Sequence, residues 1–142
     1  MYDLERFVDA QQRVYDDVLA ELRTGRKRSH WMWFVCPQIE GLGGSAMAVK
    51  YAIASLEEAR EYLEHPVLGH RLRECTRFVL DIDGRPLVDI FGATDALKFR
   101  SSMTLFACAA PDEPLFREAL RKYCDSVQDP LTLERISSSA GE

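Results

Sequence analysis

Three stretches of this 142-residue chain concentrate side chains able to do chemistry. The first is Ser29-His30-Trp31-Met32-Trp33-Phe34-Val35-Cys36-Pro37-Gln38, which holds both tryptophans of the protein. Two indoles this close can form a stacking wall for a base or another planar ring. His30, next to the first of them, is the residue type that exchanges protons near neutral pH. The competing reading of the same run is a core segment whose polar tips find internal partners. Just upstream, Arg23, Arg26, Lys27 and Arg28 cluster where a helix would end. Positive charge there complements the helix dipole, and it also suits contact with a phosphate, with Lys27 as the chosen residue.

The second stretch is Gly41-Leu42-Gly43-Gly44-Ser45. Gly41 and Gly43 would let backbone N–H groups approach an anion, and Ser45 would cap a helix whose N-terminus adds partial positive charge. The string matches neither the Walker pattern nor the dinucleotide-binding fingerprint, so an ordinary interhelix loop competes. The third stretch runs from Phe91 to Thr104. On a helix, Asp95 and Lys98 stand three residues apart, as do Lys98 and Ser101, so one face carries a carboxylate, an ammonium and a hydroxyl. Such a face suits a sugar or a phosphate. A local ion pair with capping hydrogen bonds competes.

Other groupings carry less. Cys36, Cys75, Cys108 and Cys124 show no Cys-x-x-Cys pairing and have apolar company, so they read as buried thiols and not as a zinc site. His65 and His70 lack a carboxylate partner for a metal. Asp81-x-Asp83 begins like a calcium loop, but Pro86 stands where glycine is required. No metal and no cofactor is implied.

The elements that must position these residues follow from periodicity and punctuation. Residues 4–24 place Leu4, Phe7, Val8, Val14, Tyr15, Val18, Leu19 and Leu22 at helical spacing, with Asp3 as a cap and Gly25 at the left-handed position after the end. A short helix capped by Ser29 and then a loop are expected over 29–38, and a helix over 46–54 behind Ser45. Ser55 and Glu58 form a capping box that opens another helix to about Leu63, and Pro66 starts one over 66–80. Further helices are expected over 86–91, over 95–109 with Thr94 or Asp95 as cap, over 113–125, and from Pro130 to Ile136. Residues 137–142 read as a flexible tail. No alternating strand pattern of useful length appears. The expected fold is all-α, a compact single domain over residues 1–136 built from seven to eight short helices.

Composition bounds the function classes. Hydrophobic residues make up 46% and charged residues 29%, which is globular usage. Lysine and arginine number 18 against 23 acidic residues, a net charge of −5 that disfavours a general nucleic-acid binder. No apolar run is long enough to span a membrane, and the first residues lack the order of a signal peptide. A cytoplasmic protein with no nucleic-acid or membrane partner is expected.

The block Ser29–Gly43 resembles the signature of a bacterial family of uncharacterised proteins, domain-of-unknown-function family 1810. Tyr62-Leu63-Glu64-His65-Pro66-Val67-Leu68-Gly69 is similar to a second block of that family. Phe91-Gly92-Ala93-Thr94-Asp95 through Lys98, continuing as Ser101-Ser102-Met103-Thr104-Leu105-Phe106, is similar to a third. Phe7, Gln11 and Tyr15, and Asp129, Thr132 and Leu133, fit its ends. The resemblance covers residues ~4–136 and implies a mainly helical single domain. It implies no established activity. Some members carry the label calpastatin, a protease inhibitor, but inhibitors of that name are disordered and this composition is globular. Family members often have an aromatic residue where this chain has Cys36. A looser similarity, in size, helical character and aromatic-plus-polar blocks, is to the family acting on N-glycosidic bonds in NAD and ADP-ribose metabolism. No catalytic residue of that family aligns onto this chain.

The expected function is a small-molecule site for a nucleotide or ADP-ribose-like ligand, with N-glycosidic hydrolysis as its chemistry. Lys27 and the loop of Gly41, Gly43 and Ser45 would hold phosphate, Trp31 or Trp33 would stack a ring, and Gln38 would add a polar contact. Lys98 and Ser101 would meet the ribose. Asp95 would stabilise an oxocarbenium-like centre, and His30 would move a proton. The alternative is a non-catalytic helical module that binds a protein partner through an exposed aromatic patch. Whether His30, Trp33, Gln38, Asp95 and Lys98 share one hollow separates the two.

Overall fold

The structure, a computed structural model, describes residues 2–140, with side chains as far as Ser138. Ten helices and no strand are found among the described residues, more helices than the seven to eight expected. They are α1 (Glu5–Gln12), α2 (Tyr15–Arg23), α3 (Met32–Val35), α4 (Ala46–Lys50), α5 (Leu56–Glu64), α6 (Leu68–Leu80), α7 (Leu87–Phe91), α8 (Ala93–Ala109), α9 (Leu115–Cys124) and α10 (Pro130–Ala140).

The first expected helix is two. The chain breaks at Arg13 and Val14, where Val14 takes φ −129° and its N–H turns back to Gln11 O. Gln11 lies at the break with its side chain buried. Its amide donates to Phe34 O at 2.7 Å and to the Tyr62 hydroxyl at 2.9 Å. Apolar spacing continues across the break, so periodicity alone does not show it. The helix expected over 46–54 ends at Lys50 because Ile53 leaves it for an isolated parallel bridge with Ile39. Two hydrogen bonds of 2.8 Å, Glu40 N–H to Ile53 O and Ile53 N–H to Gln38 O, make that bridge. The last helix runs past Ile136 to Ala140; of the tail expected over 137–142, Gly141 and Glu142 lie outside the described residues.

Helix starts follow the capping chemistry at some positions and not at others. Ser45 accepts from Ala48 N–H, and Ser55 accepts from Glu58 N–H, while the Glu58 carboxylate returns to Ala54 N–H at 2.7 Å. Asp3 and Ser29 cap no helix; α1 and α3 begin behind Leu4 and Trp31 without a side-chain cap. Gly25 takes φ +78°, as expected after α2.

Helix α8 is the axis of the molecule. It packs against α3, α5, α7, α9 and α10 and is buried almost continuously from Phe99 to Ala109. A helix that is apolar on most sides needs neighbours on most sides. Phe7, Tyr62, Phe106 and Phe116 form a chain of rings from α1 through α5 and α8 to α9, with centroids 5.1, 5.4 and 5.9 Å apart. These spacings are favourable for aromatic pairs and anchor the core. No helix among the described residues is long and apolar enough to cross a membrane.

Candidate functional site

Glu21, on α2, organises the loop that leads into the tryptophan block. Its carboxylate accepts from Arg28 N–H at 2.7 Å, Ser29 N–H at 3.0 Å, the Ser29 hydroxyl and the Trp31 indole N–H at 3.0 Å. Burial opposes the charge, yet these four donors outweigh it and hold the carboxyl down at about 2. The loop thus fixed carries Lys27, whose backbone N–H reaches Ile90 O at 2.7 Å and ties it to α7.

From this anchor the Lys27 ammonium, 7% exposed, meets Asp95 Oδ2 at 2.7 Å. It also donates to Ser29 O and lies 5.1 Å from the Trp31 ring centre. Asp95 belongs to the first turn of α8, which starts at Ala93 after Gly92 at φ +83°; neither Thr94 nor Asp95 caps it. The other oxygen of Asp95 faces Lys98 Nζ at 3.5 Å, and Lys98 lies over Trp33 with Nζ 4.8 Å from the ring centre. Two ammonium groups therefore share one carboxylate, and each borders an indole. The cluster keeps one excess positive charge.

Trp33 is also a wall of the adjoining cavity, about 280 Å³ in volume. Gln38, Gly41, Gly43 and Tyr51 share the lining, and Arg135 reaches in from α10. The expected residues thus divide. Of His30, Trp33, Gln38, Asp95 and Lys98, only Trp33 and Gln38 line the hollow, together with Gly41 and Gly43; Asp95, Lys27 and Lys98 form an ion cluster outside its lining, which touches it only where Lys98 lies over Trp33.

Four expected residues do other work. Trp31 is 1% exposed with its indole nitrogen bound to Glu21, so it is a core residue and offers no stacking face. His30 is exposed, is not among the cavity's lining residues, and makes no hydrogen bond or ion pair among the described residues. Ser45 serves as the cap of α4. Ser101 is buried and donates to Leu97 O at 3.0 Å and to Asp129 Oδ2 at 3.2 Å, on the α10 side of α8.

The thiols divide as well. Cys36 and Cys75 are buried, whereas Cys108 and Cys124, expected to be buried, are partly exposed. Burial pushes the Cys36 thiol well above its ordinary range and Cys75 up to about 12. Neither supplies a thiolate nucleophile. Glu21 and Arg135 escaped the sequence reading: ten residues separate Glu21 from Trp31, and Arg135 approaches Glu40 across 95 positions.

The model of the family described as protein of unknown function, DUF1810, matches residues 1–136. The chain belongs to this family. A solved structure, the conserved hypothetical protein Rv1873 from Mycobacterium tuberculosis, is 52% identical, with a TM-score of 0.94 over 96% of this chain and 97% of that one. No protein of curated function matches. Within this DUF1810 chain the tryptophan block carries the cavity wall. The His65 block instead builds a turn: His65 Nδ1 accepts from Val67 and Leu68 N–H.

Proposed function

We propose that this DUF1810 protein binds a nucleotide or ADP-ribose-like small molecule in the cavity walled by Trp33. The observation that carries the reading is the convergence on one hollow of the Trp33 indole, Gln38, the glycine loop and Arg135, with Lys98 over the same indole. A few convergent polar groups around an aromatic wall characterise small-molecule sites. The indole offers stacking to a base, and the Arg135 guanidinium in the lining favours an anionic ligand.

Binding is better supported than N-glycosidic hydrolysis. Hydrolysis needs a carboxylate that faces the anomeric carbon, and Asp95 is held between Lys27 and Lys98. A protein-interaction module needs a contiguous apolar face instead. The exposed large apolar side chains, Val49, Val88, Leu97, Val127 and Leu131, come from four helices and one connection. A cytoplasmic location accompanies the proposal, since the four free thiols suit a reducing compartment.

A thermal-shift series with nucleoside monophosphates, NAD and ADP-ribose tests the reading. A ligand bound only by the native state raises the melting temperature, by an amount that grows with its concentration. At least one compound is expected to do so, and the Trp33→Ala variant is expected to lose the response. No shift with any of them overturns the reading.

A further inference from the structure

We propose that Arg135 is the anion-gripping residue of this cavity and that it selects a phosphomonoester carrying a planar ring, a nucleoside monophosphate in size. This inference rests on the cavity being the ligand site, as proposed above, and adds the residue and the ligand class.

Three observations carry it. The first is placement. Arg135 Nε donates to Glu40 O at 3.1 Å, which fixes the guanidinium at the cavity edge. Gly41, at φ +94°, makes this possible: a Cβ there would stand 2.6 Å from Arg135 Cζ. The guanidinium lies against bare backbone, and Nη1 and Nη2 have no partner among the described residues. The second is charge. Lys27 and Lys98 are both engaged by Asp95, whereas Arg135 forms no ion pair among the described residues, not even with Glu40 beside it. A guanidinium that keeps its paired outer N–H groups free matches the bidentate geometry of a phosphate. The third is size. A volume of about 280 Å³ lies at the small end of ligand sites, with Trp33 and Tyr51 as aromatic walls. One ring and one phosphate suit it better than the two nucleosides of a dinucleotide.

Isothermal titration of the full chain tests this. The probes are the tightest-binding of the four common ribonucleoside monophosphates, its parent nucleoside, and NAD. The wild type is expected to prefer the monophosphate over the nucleoside by about 10- to 100-fold, the range for charge-assisted hydrogen bonds. Arg135→Gln is expected to erase that preference, so that monophosphate and nucleoside bind the variant alike. Arg135→Lys, which keeps the charge and loses the fork, is expected to retain part of it. A monophosphate preference that survives Arg135→Gln overturns the role of Arg135 and leaves the cavity reading standing. NAD binding more tightly than the monophosphate overturns the size argument. Failure of both monophosphate and nucleoside to bind the wild type overturns the cavity reading and this inference together.

Discussion

Helix α8 presents two polar faces, and they differ in how fully their groups are used. Toward α10, Ser101 donates to Leu97 O and to Asp129, and Thr104 donates to Arg100 O while accepting from Asp129 N–H at 2.9 Å. Asp129 also accepts from the N–H and hydroxyl of Thr132, and Arg100 Nη2 stands 3.8 Å from it. This is a joint, in which Ser101, Thr104, Asp129 and Thr132 are consumed by internal partners, while Arg100 Nε stays buried without one. Toward α3, Asp95 holds two lysines, and each lysine also borders an indole. An ammonium has three donors, so Lys98 keeps spare capacity next to a cavity wall. Polar composition on a helix face is therefore a poor guide to function. What separates a joint from a site is whether a spare donor stands beside an open cavity, as Lys98 does at Trp33, or in the packed interior, as Arg100 Nε does.

The largest expected effect breaks the joint. Asp129→Ala removes the shared acceptor of Ser101 and Thr132 together with the cap of α10, and should cost about 2–4 kcal/mol of stability in urea unfolding. Next is the other face. Asp95→Asn leaves the Lys27 ammonium nearly buried without its counter-charge and should cost about 1–3 kcal/mol. An unchanged midpoint would show that the cluster contributes nothing to the fold. Trp33→Ala sharpens the contrast. The side chain is only partly buried, so about 1–2 kcal/mol is expected, below the ~3–5 kcal/mol of a core tryptophan, together with loss of ligand response. A full core-sized loss would move Trp33 from the site to the core.

The last effect is read in acid and concerns the anchor of the site loop. The folded carboxyl of Glu21, near 2, lies below its ordinary 4.5. Its contribution is therefore fully present above about 4.5 and is lost as pH falls toward 2. Glu21→Gln should flatten the stability profile in that window. Equal acid sensitivity of variant and wild type would place the titration elsewhere.

Much of the fold is legible because caps and glycines are local. Ser45, Ser55 and Gly25 announce helix ends through chemistry confined to a few residues. The break between α1 and α2 is not legible, since it depends on Gln11 finding Phe34 and Tyr62 far along the chain. The site divides the same way. Lys98 and Asp95, one turn apart, are readable as a pair. That Lys27 completes the cluster, that Glu21 captures Trp31 and that Arg135 closes over Gly41 are tertiary facts with no sequence period behind them. The second family block is equally instructive. Gly69 reads as an unremarkable helix residue, yet a Cβ there would stand 2.1 Å from Leu63 O. That block is shaped by backbone approach and not by chemistry.

The most direct measurement is an NMR titration of the nitrogen-15-labelled protein with a nucleoside monophosphate. Its two tryptophans give two indole N–H signals, one from Trp33 at the cavity and one from Trp31 locked to Glu21. The Trp33 indole and the Gly41 and Gly43 amides should shift in a saturable manner, while Trp31 and the Ser101–Asp129 joint stay still. Saturable shifts at the joint with a silent Trp33 would contradict the assignment of the site.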